Sequence, residues 1–167
     1  MSNSRTNSSR TSSNRTTGGH EDAPADGVAA PAILFRHAIE PRWRDLDAFG
    51  HVNNSNFLTY LEESRIQWFR TLGREWVTAE IAPLLAAVHI NYRAPIEYPS
   101  SIAVELFAAR IGNTSITIGH RIVSADGAVL HADGDVVMVW IDRASGKPVP
   151  LPVAVREVAA AGPDARR

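Results

Sequence analysis

Apolar residues recur at Phe57, Leu61, Trp68 and Leu72, with Leu58 and Phe69 beside them, which is the 3.6-residue spacing of one helix face. The run "NFLTYLEESRIQWFRTLG" therefore predicts a helix of about four turns, with Asn53 or Asn54 where an N-cap belongs and Gly73 as its C-cap. Upstream, "ILFRHAIEPRWR" alternates in part and predicts a first strand that runs into a polar cluster at Asp45. The segment "EWVTAEIAP" shows neither period, and Pro83 is expected to end whatever it forms. Beyond it the period is two. "LLAAVHINYRAPI" puts Val88, Ile90 and Tyr92 on one face, and "SSIAVELFAARIG", "NTSITIGHRIVSAD" and "GAVLHADGDVVMVWID" each read as a strand. Turn residues punctuate them at Gly112-Asn113, Asp126-Gly127 and "RASGKP". Strands joined by hairpins pair antiparallel. The predicted architecture is α+β: a strand, one long helix, then four or five antiparallel strands whose sheet wraps the helix.

The pattern stops before Ile33. Residues 1–31 are dominated by Ser, Thr, Asn, Gly and Ala, with no Leu, Ile, Phe, Val or Trp before Val28. Such a segment buries too little apolar area to offset its ordering entropy, and it offers no apolar face for an import helix. It is expected to be a disordered tail, followed by one domain over 32–160 and a short tail at 161–167. A chain of 167 residues suits that single domain. Seventeen Lys and Arg against 18 Asp and Glu leave a net charge of -1, which gives no field to attract nucleic acid or an anionic membrane. There are no cysteines, so disulfides, thiolate metal sites and a Cys nucleophile are excluded. No apolar run approaches the roughly 18 residues of a membrane helix, and residues 1–31 lack the apolar segment of a secretory signal, so none is expected. The expected location is cytoplasmic.

The stretch "RDLDAFGHVNNSNF" packs Asp45, Asp47, His51, Asn53, Asn54 and Asn56 into a dozen residues. Within the longer run "RWRDLDAFGHVNNSNFLTYLEESR" it resembles the signature of the 4-hydroxybenzoyl-CoA thioesterase family of hotdog-fold acyl-CoA thioesterases. Two later segments agree in order and spacing: "INYRAPIEYPSSIAVEL" is similar to the family's Tyr-x-x-Pro-Ile segment, and "VVMVWIDRASGKPVPLP" to its closing strand and tail. The resemblance covers roughly residues 33–158. It implies a sheet curled around a central helix, paired as a homodimer or a dimer of dimers with active sites at the subunit interface. It places Asp47 on the catalytic carboxylate and the backbone N–H of Asn54 against the thioester oxygen. His51 and Asn53 fall on positions that line the site. Phe57 departs from the usual Tyr, and "YPSS" from Tyr-Gly-Asp.

Elementary chemistry agrees with that reading. The first turn of a helix has free N–H groups and the positive end of the dipole, which suits an oxyanion. Asp47 stands a few residues upstream, where it would serve as general base on water or as a nucleophile. Both mechanisms remain open. The same residues also have plain structural roles: Asp47 and Asn53 as turn and cap formers, Asp45 as a turn residue or partner of Arg42 or Arg44, His51 as a backbone-bonded histidine. Glu62 and Glu63 point about 100° apart on the helix. Because a helix carboxylate does the chemistry in another hotdog subgroup, Glu63 is a reserve catalytic candidate. Trp43, Phe57, Trp68 and Phe69 are candidates for an acyl tunnel or for plain core. For CoA phosphates the candidates are Arg93 and Arg110. Asp45 and Asp47 would project to opposite faces of an extended strand, and His89, His120 and His131 stand singly on predicted strands, so no metal is expected. No bound cofactor is expected either. The expected activity is hydrolysis of an acyl-CoA to the free acid and CoA. The alternatives are a thioesterase acting on acyl carrier protein, a non-catalytic acyl-CoA binder, and a hydratase.

Overall fold

The computed structural model describes residues 31–73 and 76–161. Almost all of the expected N-terminal tail, and residues 162–167 of the C-terminal one, lie outside the described residues. The elements are β1 (Phe35–Ile39), a 3-10 turn (Trp43–Asp45), α1 (Asn54–Arg70), β2 (Ile81–Tyr92), β3 (Ile102–Ile111), β4 (Ser115–Ser124), β5 (Leu130–Asp142) and α2 (Val153–Ala161).

The five strands form one antiparallel sheet in the order β1-β3-β4-β5-β2. Chain-adjacent hairpins account for β3-β4-β5, but β2 crosses over to pair with β5 at one edge while β1 pairs with β3 at the other. Ile116, Ile118, His120 and Ile122 alternate along β4 toward a buried face, as do Val136, Met138 and Trp140 along β5. Against these lies the buried stripe of α1, comprising Phe57, Tyr60, Leu61, Ser64, Arg65, Trp68 and Phe69. The apolar members join the strand residues in one core cluster. Each fully buried aromatic or Leu side chain contributes about 1.5–3 kcal/mol relative to exposure, so the face that carries Leu61, Trp68 and Phe69 fixes how α1 sits on the sheet.

Three expectations are corrected. The first strand ends at Ile39, short of the polar cluster, because Pro41 removes a donor and residues 43–45 turn into a 3-10 segment. Pro83 does not end an element; it lies inside β2, opposite Trp140. A proline is tolerated there because β2 is an edge strand, where an N–H facing away from the sheet has no ladder partner to lose. The C-cap of α1 is Thr71, and Gly73 follows with φ 80°. The helix α2 was not anticipated; its Val155 and Ala159 join the core. The remaining strand and turn assignments agree with the sequence pattern.

Candidate active site

The polar cluster folds into a small hairpin capped onto a helix. The Asp47 N–H donates to the His51 carbonyl (2.8 Å) and the Asn53 N–H to the Asp45 carbonyl (2.9 Å), with Leu46 and Val52 bridging between them. At the tip the Gly50 N–H donates to the Asp47 carbonyl (3.1 Å), and Gly50 takes φ 81°, a conformation that favours glycine. One arm is pinned beyond the hairpin by the Val52 N–H to the Ile96 carbonyl (2.9 Å). The chain then enters α1 directly.

Asp47 is oriented by its own turn. Its Oδ1 accepts from the Phe49 N–H (2.8 Å) and, at longer range, from the His51 N–H (3.4 Å). Its Oδ2 has no hydrogen-bond partner among the described residues. One oxygen is thus fixed and the other free for chemistry. At the helix start Asn53 is the N-cap, accepting from both the Ser55 N–H (2.9 Å) and the Ser55 hydroxyl (2.7 Å). The Asn56 N–H donates to the Asn53 carbonyl (2.8 Å). Among the described residues the Asn54 N–H has no such partner, so it is the free donor at the positive end of α1.

Asp47, His51 and Asn54 line one cleft of about 290 Å3, together with Val52, Phe57, Tyr92, Arg93, Ala94 and Pro95. Phe57 and Tyr92 meet edge-to-face, with ring centroids 5.1 Å apart, and the Tyr92 hydroxyl donates to the Asn54 carbonyl (3.2 Å). The cleft is therefore polar at the hairpin and helix start and apolar along Val52, Phe57 and Pro95. Asn53 caps the helix beside it. Tyr92 was placed from sequence on a strand face, but its contact with the helix start spans 38 residues and left no local signal.

The other candidates lie elsewhere. Glu63 accepts from Gln67 (2.6 Å) and lines a separate cleft with His37, Arg42 and Tyr60, so the structure does not bring it to Asp47. Arg93 reaches the cleft but is held by Asp133 through two bonds of 2.8 and 3.1 Å, and Asn91 adds a third to the same carboxylate. Its charge is already balanced, which weakens it as a phosphate ligand. Arg110 stands near the far end of β3, opposite Thr117. Trp68, Phe69 and Phe57 are buried in the core, whereas Trp43 is exposed. Among the described residues no group of three or more His, Asp or Glu has the arrangement of a metal site. Among them also no helix is long and apolar enough to cross a membrane.

Asp45 is buried yet fully paired. Its carboxylate accepts from the Arg42 N–H, Nε and Nη2 (2.9, 3.1 and 3.0 Å) and from the Tyr60 hydroxyl (2.8 Å). Burial works against its charge, but the bonds from Arg42 and Tyr60 outweigh that and hold the carboxyl below the usual range. Burial and the adjoining carboxylate raise the Tyr60 hydroxyl, which therefore stays a donor. Outside the cleft, His120 is buried on β4, and among the described residues neither of its ring nitrogens has a hydrogen-bond partner. Burial first, and then Arg65, push it down to about 4.

Residues 41–160 match the family described as the thioesterase-like superfamily. A candidate acyl-CoA thioesterase from Xanthomonas campestris is 51% identical, over 66% of this chain and 95% of its own, with a TM-score of 0.60. A thioesterase from Thermus thermophilus, solved with coenzyme A and Zn, is 32% identical over 78% of this chain and 94% of its own, with a TM-score of 0.67. The long-chain acyl-CoA thioesterase FadM of Escherichia coli is 28% identical over 71% of this chain and 92% of its own. With five antiparallel strands against a long helix, and with the family match running from the polar hairpin through α2, the chain belongs to the thioesterase-like superfamily of hotdog-type folds.

Proposed function

We propose that the chain is an acyl-CoA thioesterase that hydrolyses the thioester to a carboxylic acid and CoA, with Asp47 as the reacting carboxylate. The observation that carries this reading is the juxtaposition in one cleft of a carboxylate with a free oxygen and a helix N-terminus with a free N–H. In the reaction the thioester carbonyl lies at the Asn54 N–H. The developing oxyanion is stabilised there by a donor that needs no reorganisation. Asp47 then either takes a proton from the attacking water, after which the tetrahedral intermediate breaks its C–S bond and the CoA thiolate leaves to be protonated, or attacks the carbonyl itself and displaces the CoA thiolate to form a mixed anhydride that water opens to the free acid. His51 and Asn53 shape the same end of the cleft. The named activities of the Xanthomonas, Thermus and Escherichia relatives support the substrate class.

The working unit in this reading is a homodimer. Leu84, Leu85, Val88 and Tyr92 on β2 are 53, 43, 40 and 45% exposed on an edge strand of 12 residues. A long apolar edge of that kind invites pairing with another copy unless it is covered. Tyr92 at its end also lines the cleft, so a partner on this edge would sit beside the site.

The test is thiol release from a panel of acyl-CoAs, short, long, branched and aromatic, read with a disulfide reporter. The chain has no cysteine and contributes no background. Turnover on at least one member is expected. Tight acyl-CoA binding without turnover would instead identify a non-catalytic binder, and turnover restricted to acyl carrier protein thioesters would identify the carrier-protein enzyme. Among the described residues that line the cleft the one guanidinium is that of Arg93, paired with Asp133, and this favours CoA over an acidic carrier protein in the proposed reading.

A further inference from the structure

We propose that Asp45 is a positioning residue for the Asp47 carboxylate: it is the junction at which the hairpin that carries Asp47 is fastened to the helix that carries the Asn54 N–H. This rests on the reading of Asp47 and Asn54 as the two halves of the site. Those halves sit on different pieces of chain, and their separation is useful only if it is fixed, since a misplacement of about 1 Å can cost about 10²-fold in rate. The Val52 arm of the hairpin is continuous with the helix. The other arm, which leads to Asp47, has no covalent route to α1 except around the tip.

The Asp47–His51 bond and the Leu46–Val52 bridge join the two arms to each other, and Asp45 ties the Asp47 arm directly to the helix. The Asp45 carbonyl accepts from the Asn53 N–H (2.9 Å) and from Asn56 Nδ2 (2.8 Å), and its carboxylate from the Tyr60 hydroxyl (2.8 Å). Asn56 and Tyr60 are four residues apart and so share one face of α1. Two successive turns of the helix thus grip the same residue, one through its main chain and one through its side chain. Arg42 holds the carboxylate from the opposite side through three bonds, which closes the turn that delivers the chain into the hairpin. Asp45 is 3% exposed, and Asp47 lies two residues beyond it.

The experiment compares Asp45→Asn and Tyr60→Phe with wild type and Asp47→Asn, in acyl-CoA turnover and in amide hydrogen exchange of the folded chain. Tyr60→Phe keeps the ring and removes one bond, so it reports on the clamp even where Asp45→Asn folds poorly. Asp45→Asn is expected to lower kcat by about 10²-fold with KM near the wild-type value, and Tyr60→Phe to lower it less. In both, exchange at the Asp47 and Asn53 amides should quicken while the β3-β4 hairpin keeps its protection. Unchanged kcat in Asp45→Asn and Tyr60→Phe overturns the proposal. So does a loss that tracks faster exchange across the whole core, because that is a stability effect. If wild type hydrolyses no acyl-CoA, the functional reading fails separately, and the clamp is then upheld or overturned by whether exchange quickens at those two amides alone.

Discussion

At the residue scale the site divides its labour between a side chain and a main chain. Among the described residues Asp47 commits Oδ1 to the Phe49 N–H and leaves Oδ2 without a partner, while in the proposed reaction the oxyanion donor is the Asn54 backbone N–H and not its side chain. Asn54→Ala leaves that N–H and the carbonyl bonded by Tyr92 in place. Steady-state kinetics of Asn54→Ala should therefore show little change, against the roughly 10²- to 10³-fold loss that follows removal of a true oxyanion donor. His120 makes a separate statement about pH. It titrates near 4 when folded, against 6.5 for an unperturbed imidazole, so between those values the unfolded chain binds a proton that the folded chain refuses. Stability should fall by about 3 kcal/mol as pH drops from 6.5 to 4 and recover as it rises. Arg65 and His89 oppose that proton and Asp133 and Asp135 favour it, but burial dominates. Urea denaturation of wild type and His120→Leu across this window should show the slope in the first and not in the second.

At the element scale, what could be read from the sequence was whatever one segment decides alone. The 3.6-residue spacing from Phe57 to Leu72 located α1, and the Asn-rich start located its cap, because both depend on neighbours within one or two turns. Replacing that cap, Asn53→Ala, should cost about 1 kcal/mol in denaturant unfolding, and it should leave the rest of the fold intact. What depended on a second segment was not legible. Pro83 inside β2 was misread because its tolerance comes from β2 lying at an edge, and only the crossover to β5 makes β2 an edge. Tyr60 gave no sign of its role either, since its hydroxyl meets Asp45 across 15 residues. Glu63 is a helix acid that the sequence offers as a reserve for the chemistry, and the rotation of α1 on the sheet turns it to a different cleft.

At the scale of the whole molecule the strand order decides what is exposed. With β2 outermost, Leu84, Leu85 and Val88 face solvent on one chain, and the cleft begins where that strand ends, at Tyr92. Val88→Lys places a charge in the middle of the edge, the device by which natural edge strands avoid pairing. Sedimentation velocity should find wild type as a dimer and this variant shifted to monomer, with turnover falling in proportion. The thioesterase-like superfamily was recognisable in three separated sequence segments, because the polar hairpin, the Tyr-x-x-Pro-Ile segment and the closing strand each keep their own local pattern. The cleft as an object was not, since it is assembled from the hairpin, α1 and the end of β2. In the proposed reaction the chemistry converges on one carboxylate, that of Asp47. The most direct measurement is kcat/KM for Asp47→Asn beside wild type on the best acyl-CoA of the panel, with the fold checked by circular dichroism. A loss of about 10³-fold or more in a folded variant is predicted, in line with removal of a group that acts in the transition state. Equal activity in the two proteins would contradict the account and move the chemistry away from this cleft.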